Sequence, residues 1–308
     1  MNLVINDARK AKIKKYSGQY IIGIVRWLFI LGICFVILYP LFTKISASFM
    51  SVTDLYDATV KYFPKSPSLS NYNTAMIRLG FPNVFFSSFG LAFTTSLLQT
   101  ATATLVGYGL ARYKFKGRGI VFGIVILNLV LLPDLLFTPR YVMFSDLQDG
   151  FLAMFGLNTW WPMILFAVTC TGLKCSLYIF MMRQFFRGMP KELEEAAYVD
   201  GAGALKTFVV IMLPSAVAMM VTCFLFSFVW QWLDMSYTTI FAKDLPFFST
   251  RVGFLTATAG GGITSNVDLT VSLIKNAGMI LIMLPLLALY LFTQKFFVES
   301  IARSGLVG

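Results

Sequence analysis

A chain of 308 residues that is 57% hydrophobic and only 13% charged falls far short of the roughly 25% charge of an ordinary soluble domain. That deficit argues against a water-soluble fold and points to lipid as the main solvent. The complete lack of histidine removes the commonest general base, proton switch and metal ligand together. The net charge of +11 does not indicate nucleic acid, because the basic residues cluster just outside apolar runs and form no extended basic face with interleaved aromatics.

Six apolar segments approach the 20 or so residues needed to cross a bilayer. They run about Gln19–Phe42, Val84–Ala111, Gly119–Phe137, Trp160–Met182, Phe208–Leu233 and Ala277–Phe297. The expected fold is an all-α membrane protein of six transmembrane helices. The first span follows a basic stretch, Arg9 to Lys15, but it is too long for a signal-peptide core and no small-residue cleavage site follows it. Cys34, Cys170, Cys175 and Cys223 lie inside apolar runs without a C-x-x-C pair, and read as small membrane-buried residues.

Basic residues orient the spans. Arg9–Lys15, Arg112–Arg118, Arg183–Lys206 and Lys295–Arg303 bracket one side densely, whereas Lys44, Lys61, Lys65, Arg78, Arg140, Lys243, Arg251 and Lys275 are spread over the longer loops of the other. Both termini are therefore expected in the cytoplasm. The expected organisation is a cytoplasmic tail (1–18), a first transmembrane helix with its external loop (19–83), a core transmembrane domain (84–298) and a cytoplasmic tail (299–308). The external loops 44–82 and 234–276 read either as solvated connectors or as surfaces that hold a partner protein.

The loop between spans four and five reads Arg183-Gln184-Phe185-Phe186-Arg187-Gly188-Met189-Pro190-Lys191-Glu192-Leu193-Glu194-Glu195-Ala196-Ala197-Tyr198-Val199-Asp200-Gly201. Gly188 is suited to end one helix through a positive φ, and Pro190 to sit in the first turn of the next. Glu192, Glu194 and Glu195 then face the positive end of the new helix dipole. Gly201 and Gly203 end it, leaving a helix of about ten residues. Ala196 and Ala197 would let another protein approach closely, and Glu194 and Glu195 could reach out as charge-assisted acceptors. A plain amphipathic connector has the same local physics.

The spacing Glu195-Ala196-Ala197, Gly201, Ile211, Leu213-Pro214 resembles the cytoplasmic Glu-Ala-Ala motif of ABC importer permeases at every fixed position. The run Tyr108–Arg118, the segment Arg183–Glu195 and Leu157-Asn158-Thr159-Trp160 resemble the carbohydrate-uptake branch, the MalG-like subunits. The resemblance covers most of the chain from about Leu69 onward. It implies a type I importer permease fold with a cytoplasmic coupling helix, in a bacterial or archaeal cytoplasmic membrane. Glu194, Glu195, Ala196, Ala197, Asp200, Gly201, Ile211, Leu213 and Pro214 would then couple the chain to an ATPase. The implied partners are a cytoplasmic ATPase dimer using ATP and Mg, a second permease subunit, an external solute-binding protein and membrane lipid. The implied cargo is a carbohydrate, with a polyol or glycerol phosphate as the alternative. No G-x-x-x-x-G-K-[ST] run is present, so ATP chemistry is expected on a separate chain and no cofactor on this one.

The resemblance also places Gly260, Gly261 and Gly262 in the loop that contacts the binding protein, and the tail Ser304–Gly308 near the ATPases. A flexible turn explains the glycines equally, and Val307 departs from the lysine usual at the tail. Gln99, Asn128, Lys174, Trp230 and Gln231 are polar or amphipathic residues inside spans and therefore pathway candidates. Lys174 either faces a wet cavity, pairs with a carboxylate such as Asp134, or snorkels. Trp230 fits either a sugar face or a membrane interface, and Leu233 stands where the family often has asparagine. A secondary transporter is disfavoured because the six spans lack a convincing internal duplication and hold few central acids, and a membrane enzyme because there is no histidine, no buried acid pair and no metal-ligand cluster.

Overall fold

The computed structural model describes residues 2–131, 133–147, 152–255 and 265–305. All regular structure among them is helical. Apolar runs without alternation favour helices, whose backbone groups are satisfied internally and can meet lipid.

The chain divides into two compact units. The first comprises Met1–Thr74 with Gly262–Ile280. Its long α1 (Asn2–Ser48) carries an apolar stretch, Ile22–Ser48, that stays almost wholly unburied. Such an uncovered apolar surface fits lipid or another membrane chain. The loop after α1 is a folded piece, not a loose connector. Ser51 and Asp54 form a capping box at α2 (Val52–Tyr56). Buried Asn71, on α3 (Ser70–Leu79), donates to the carbonyls of Ser48 (3.0 Å) and Met50 (2.8 Å).

The second unit comprises Ala75–Gly261 with Leu281–Gly308. Its centre is α4 (Asn83–Arg112), 30 residues long and against which α7 (Trp161–Val168), α8 (Cys175–Gly188) and α12 (Val217–Trp232) pack. Close approach depends on small residues. A Cβ on Gly107 would stand 2.6 Å from Met182 Cβ and 3.0 Å from the Arg183 backbone nitrogen. Tyr108, Tyr178, Met182, Phe186, Phe208 and Met212 fill the core at one end, and Phe144, Phe166, Tyr237, Phe241 and Phe247 fill a second cluster.

Among the described residues three helices are long and apolar enough to cross a membrane: Ile22–Ser48, Asn83–Arg112 and Thr270–Lys295. The pair Ala204–Ser215 and Val217–Trp232 passes the same test jointly, bent by 72°. Three expected spans are therefore not straight helices. The third, α5 (Arg118–Val130), stops before Phe137, and a 3-10 turn (Pro133–Leu136) and α6 (Phe137–Asp146) follow. The fourth breaks between α7 and α8. The fifth bends where Pro214 follows a π-helical turn (Phe208–Met212). Such breaks survive in an apolar chain where neighbouring helices and side chains supply the missing backbone partners. The last helix, α15 (Ser265–Gly305), starts a dozen residues before the expected Ala277.

Candidate functional site

The segment after α8 folds as the sequence suggests, with three corrections. Gly188 is the last residue of α8 and has no positive φ; Met189, with φ −73, caps the helix in an extended conformation. Pro190 lies one residue before the cap, Lys191, so α9 is the eight-residue Glu192–Val199. Its first turn holds Glu192, Glu194 and Glu195. Its end is a Schellman closure, in which Gly201 N–H donates to the Tyr198 carbonyl (3.1 Å) and Ala202 N–H to the Ala197 carbonyl (2.9 Å). Gly201 adopts φ +78, a conformation glycine takes at no steric cost.

The third correction concerns the faces of α9. Glu194 does not reach outward. Tyr108 Oη donates to its Oε1 at 2.8 Å, and Arg112 Nε stands 3.5 Å from its Oε2. The Arg112 and Glu194 side chains are only 7% and 12% exposed. Arg112 also donates to the carbonyls of Met189 (2.9 Å) and Pro190 (3.4 Å). Tyr108 is itself gripped by Phe208, whose ring centroid lies 4.6 Å away, and by Phe186 at 5.3 Å. Ala197 is buried, so it too serves the inner face. Glu195, Ala196, Val199 and Asp200 face outward, with Val199 87% exposed. Burial raises the Tyr198 phenol above its ordinary range, and Glu194 adds to the effect. A charged, small-residue face is thus presented on a helix whose opposite face is clamped to the end of α4.

Ile211 and Leu213 are not on that presented face. Both are half-buried against the core beside Met212, and Pro214 is exposed at the bend. Leu213 N–H donates to the Phe208 carbonyl, closing the π turn. Proline has no N–H to continue the ladder. Ser215 Oγ takes up the Ile211 carbonyl at 2.8 Å. The second half of the motif therefore lies at the bend between α9 and α12.

The pathway candidates separate into two groups. Gln99 is buried and accepts from Ser227 Oγ at 2.6 Å, and Gly172 makes room for it, since a Cβ there would lie 2.0 Å from the Gln99 amide nitrogen. Gln231 is buried in a small pocket with Ser88, Asp234 and Thr238. Neither opens on the cleft described next. That cleft forms at the break Thr169–Lys174, where Cys170 (φ +60) and Lys174 (φ +55) take left-handed conformations without being glycine. Asn128 donates to Ser176 Oγ at 3.0 Å, and Lys174 Nζ lies 5.2 Å from the centroid of the Trp230 ring. Lys174 thus faces a cleft and an aromatic face; the Asp134 carboxylate lies outside the described residues, as do Gly260, Gly261, Gly262 and Val307.

Four residues of these sites carried no role in the sequence reading. Tyr108 and Arg112 are four apart at the end of a long helix, a spacing that puts both on one face and could have been noticed. Arg140 and Tyr237 are 97 positions apart and meet only in the fold. Among the described residues no group of histidine, cysteine or acidic side chains is placed to hold a metal ion.

Residues 103–303 match the family model described as the binding-protein-dependent transport system inner membrane component. A probable ABC transporter permease, YurM of Bacillus subtilis, is 27% identical over 300 residues, covering 97% of this chain and 92% of that one. The arabinooligosaccharide transport permease AraQ of Halalkalibacterium halodurans is 26% identical, covering 92% of this chain and 98% of its own. A solved structure of a bacterial ABC transporter involved in import of the acidic polysaccharide alginate shares the fold, with a TM-score of 0.69 at 18% identity, over 90% of this chain and 96% of that one. The clamped helix and the bend at Pro214 lie within the matched residues, and on that match the chain belongs to the inner-membrane components of binding-protein-dependent transport systems, the ABC importer permeases.

Proposed function

We propose that the chain is one of two permease subunits of a carbohydrate importer, crosses the membrane six times with both termini in the cytoplasm, and carries α9 as the seat of a separate ATPase. The observation that carries this is the division of α9 into a clamped face (Glu194, Ala197) and a presented face (Glu195, Ala196, Val199). ATP and Mg are handled by the ATPase dimer, and cargo arrives from a solute-binding protein. The arabinooligosaccharide permease among the relatives supports a saccharide cargo.

The geometry suggests how force passes. An ATPase that moves α9 moves Glu194, and with it Tyr108 and Arg112 at the end of α4. The same motion reaches α12 through the π turn and Pro214. The spans then exchange between inward- and outward-open states, each favoured by a different nucleotide state of the partner. In proteoliposomes holding the whole importer, Glu195→Lys and Gly201→Val are expected to leave ATP hydrolysis running while uptake of the labelled saccharide falls at least tenfold. Uptake at the wild-type rate in both variants would sink the assignment of α9.

A further inference from the structure

The cleft at the α7–α8 break gathers positive charge that nothing described nearby cancels. Lys174 and Arg140 both line it, with Asn128, Thr171, Ser176 and Tyr237 around them. Arg140 donates to Tyr237 Oη at 2.7 Å and lies 4.9 Å from the centroid of the Phe166 ring, contacts that aim the guanidinium without neutralising it. Lys174 rests against the Trp230 ring and pairs with no carboxylate among the described residues. The ion pairs among the described residues are Lys65–Asp57 and Arg112–Glu194, and neither involves these two cations. The N-terminus of the 14-residue α8 opens on the same cleft and adds partial positive charge.

Lys174 lies within the apolar segment Trp160–Met182, where a cation is costly and marks an ion or substrate path, and Arg140 on α6 lines the same cleft; neither has an ion pair among the described residues. Here the cost is compounded by backbone strain, because Cys170 and Lys174 hold left-handed conformations unfavourable to side-chain-bearing residues. The charge of Lys174 and the strain fall on the same short break in the chain, where a straight helix would have avoided the strain. The cleft volume is 50 Å³, on the order of one or two waters. It suits a single compact anionic group, not a sugar ring. Trp230 is partly exposed beside Lys174, so a ring attached to that group has an aromatic face to lie against.

We propose that this cleft receives the anionic substituent of an acidic saccharide, with Arg140 and Lys174 as its counter-ions, Asn128 and Ser176 as hydrogen-bonding neighbours, and Trp230 as the platform for the ring. The cargo class is then a saccharide bearing carboxylate, sulfate or phosphate. This inference rests on the importer reading above and narrows its cargo.

The test uses the complete importer in nanodiscs and reads acetylation of Lys174 by acetic anhydride through mass spectrometry. Galacturonate and galactose share a ring and differ at one carbon, carboxylate against hydroxymethyl. Galacturonate is expected to slow Lys174 acetylation at least tenfold more effectively than galactose. Arg140→Gln is expected to abolish that difference, and Arg140→Lys to restore part of it, which separates lost charge from a misfolded variant. Equal protection by the two sugars, or by neither, overturns the proposal. Protection by inorganic phosphate as strong as that by galacturonate assigns the cleft to a free anion and also overturns it. Protection present only in nanodiscs of anionic lipid assigns the cleft to a lipid headgroup and overturns the proposal as well. ATP-driven uptake is measured separately, so a wrong cargo class and a wrong machine give different results.

Discussion

Two interruptions of helical backbone lie within the same stretch of chain, and they are built in opposite ways. The one after α8 uses residues chosen for turns: proline before the helix cap, acids in the first turn, and glycine at φ +78 after it. One of its acids, Glu194, is paired inward with Tyr108 and Arg112. The one between α7 and α8 puts cysteine and lysine where glycine would be comfortable, and its cations have no ion pair among the described residues. The first is relaxed, its turn residues standing in conformations they favour. The second holds strain and charge, the condition of a site that something else completes.

The clamp side of this comparison predicts the largest effect. Glu194→Ala leaves Arg112 buried without its counter-ion and Tyr108 without its acceptor. Breaking such a pair by removing one partner costs about 3 kcal/mol or more. Thermal unfolding of the purified importer should show the loss, whereas Glu195→Ala should stay within about 0.5 kcal/mol of wild type. Similar losses in both variants would erase the distinction between clamped and presented faces.

Gly107→Ala comes next, because its Cβ meets Met182 Cβ and the Arg183 backbone, neither of which can swing away. Forcing α4 and α8 apart is expected to cost about 1–3 kcal/mol by the same measurement. Gly201→Val is expected to cost about 1–2 kcal/mol from the left-handed backbone alone. Nothing lies within 4 Å of a Cβ there, so Gly201→Asn should recover much of the loss. If asparagine is as harmful as valine, contact and not conformation governs the position.

On the cleft side the effects on stability are smaller. Asn128→Ala removes one hydrogen bond to Ser176, worth about 1 kcal/mol. The smallest effect is expected in the folded loop after α1. The hydrogen bond from Lys65 holds the Asp57 carboxyl well below the usual range. A depressed carboxylate of this kind adds stability above its unfolded pKa and loses it as pH falls through its folded pKa. The pair is exposed, however, so Asp57→Asn should leave the unfolding midpoint unchanged at neutral pH.

Legibility followed the range of the interactions. The α9 helix was readable because its determinants are local: three acids, two glycines and a proline within a short run of chain. The inward turn of Glu194 was not readable, since Tyr108 lies 86 positions away. Ile211, Leu213 and Pro214 were matched by spacing, but their place at a bend was visible only with the π turn. Hydropathy located six apolar runs and treated each as a straight helix. Averages over about twenty residues are insensitive to a short break, so the ends at Val130 and Val168 and the 72° bend went unseen.

The sequence by itself determined the solvent of this protein, its helical class and the motif that joins it to its family. Composition, apolar run length and residue spacing are properties of the chain before it folds. Only the tertiary structure decided which face of α9 is spoken for, and that Arg140 and Lys174 line one cleft, with the Trp230 ring beside Lys174. Those contacts join residues remote in sequence, and the packing around them leaves no room for a side chain at Gly107, where α4 meets α8, or at Gly172, in the α7–α8 break beside Gln99.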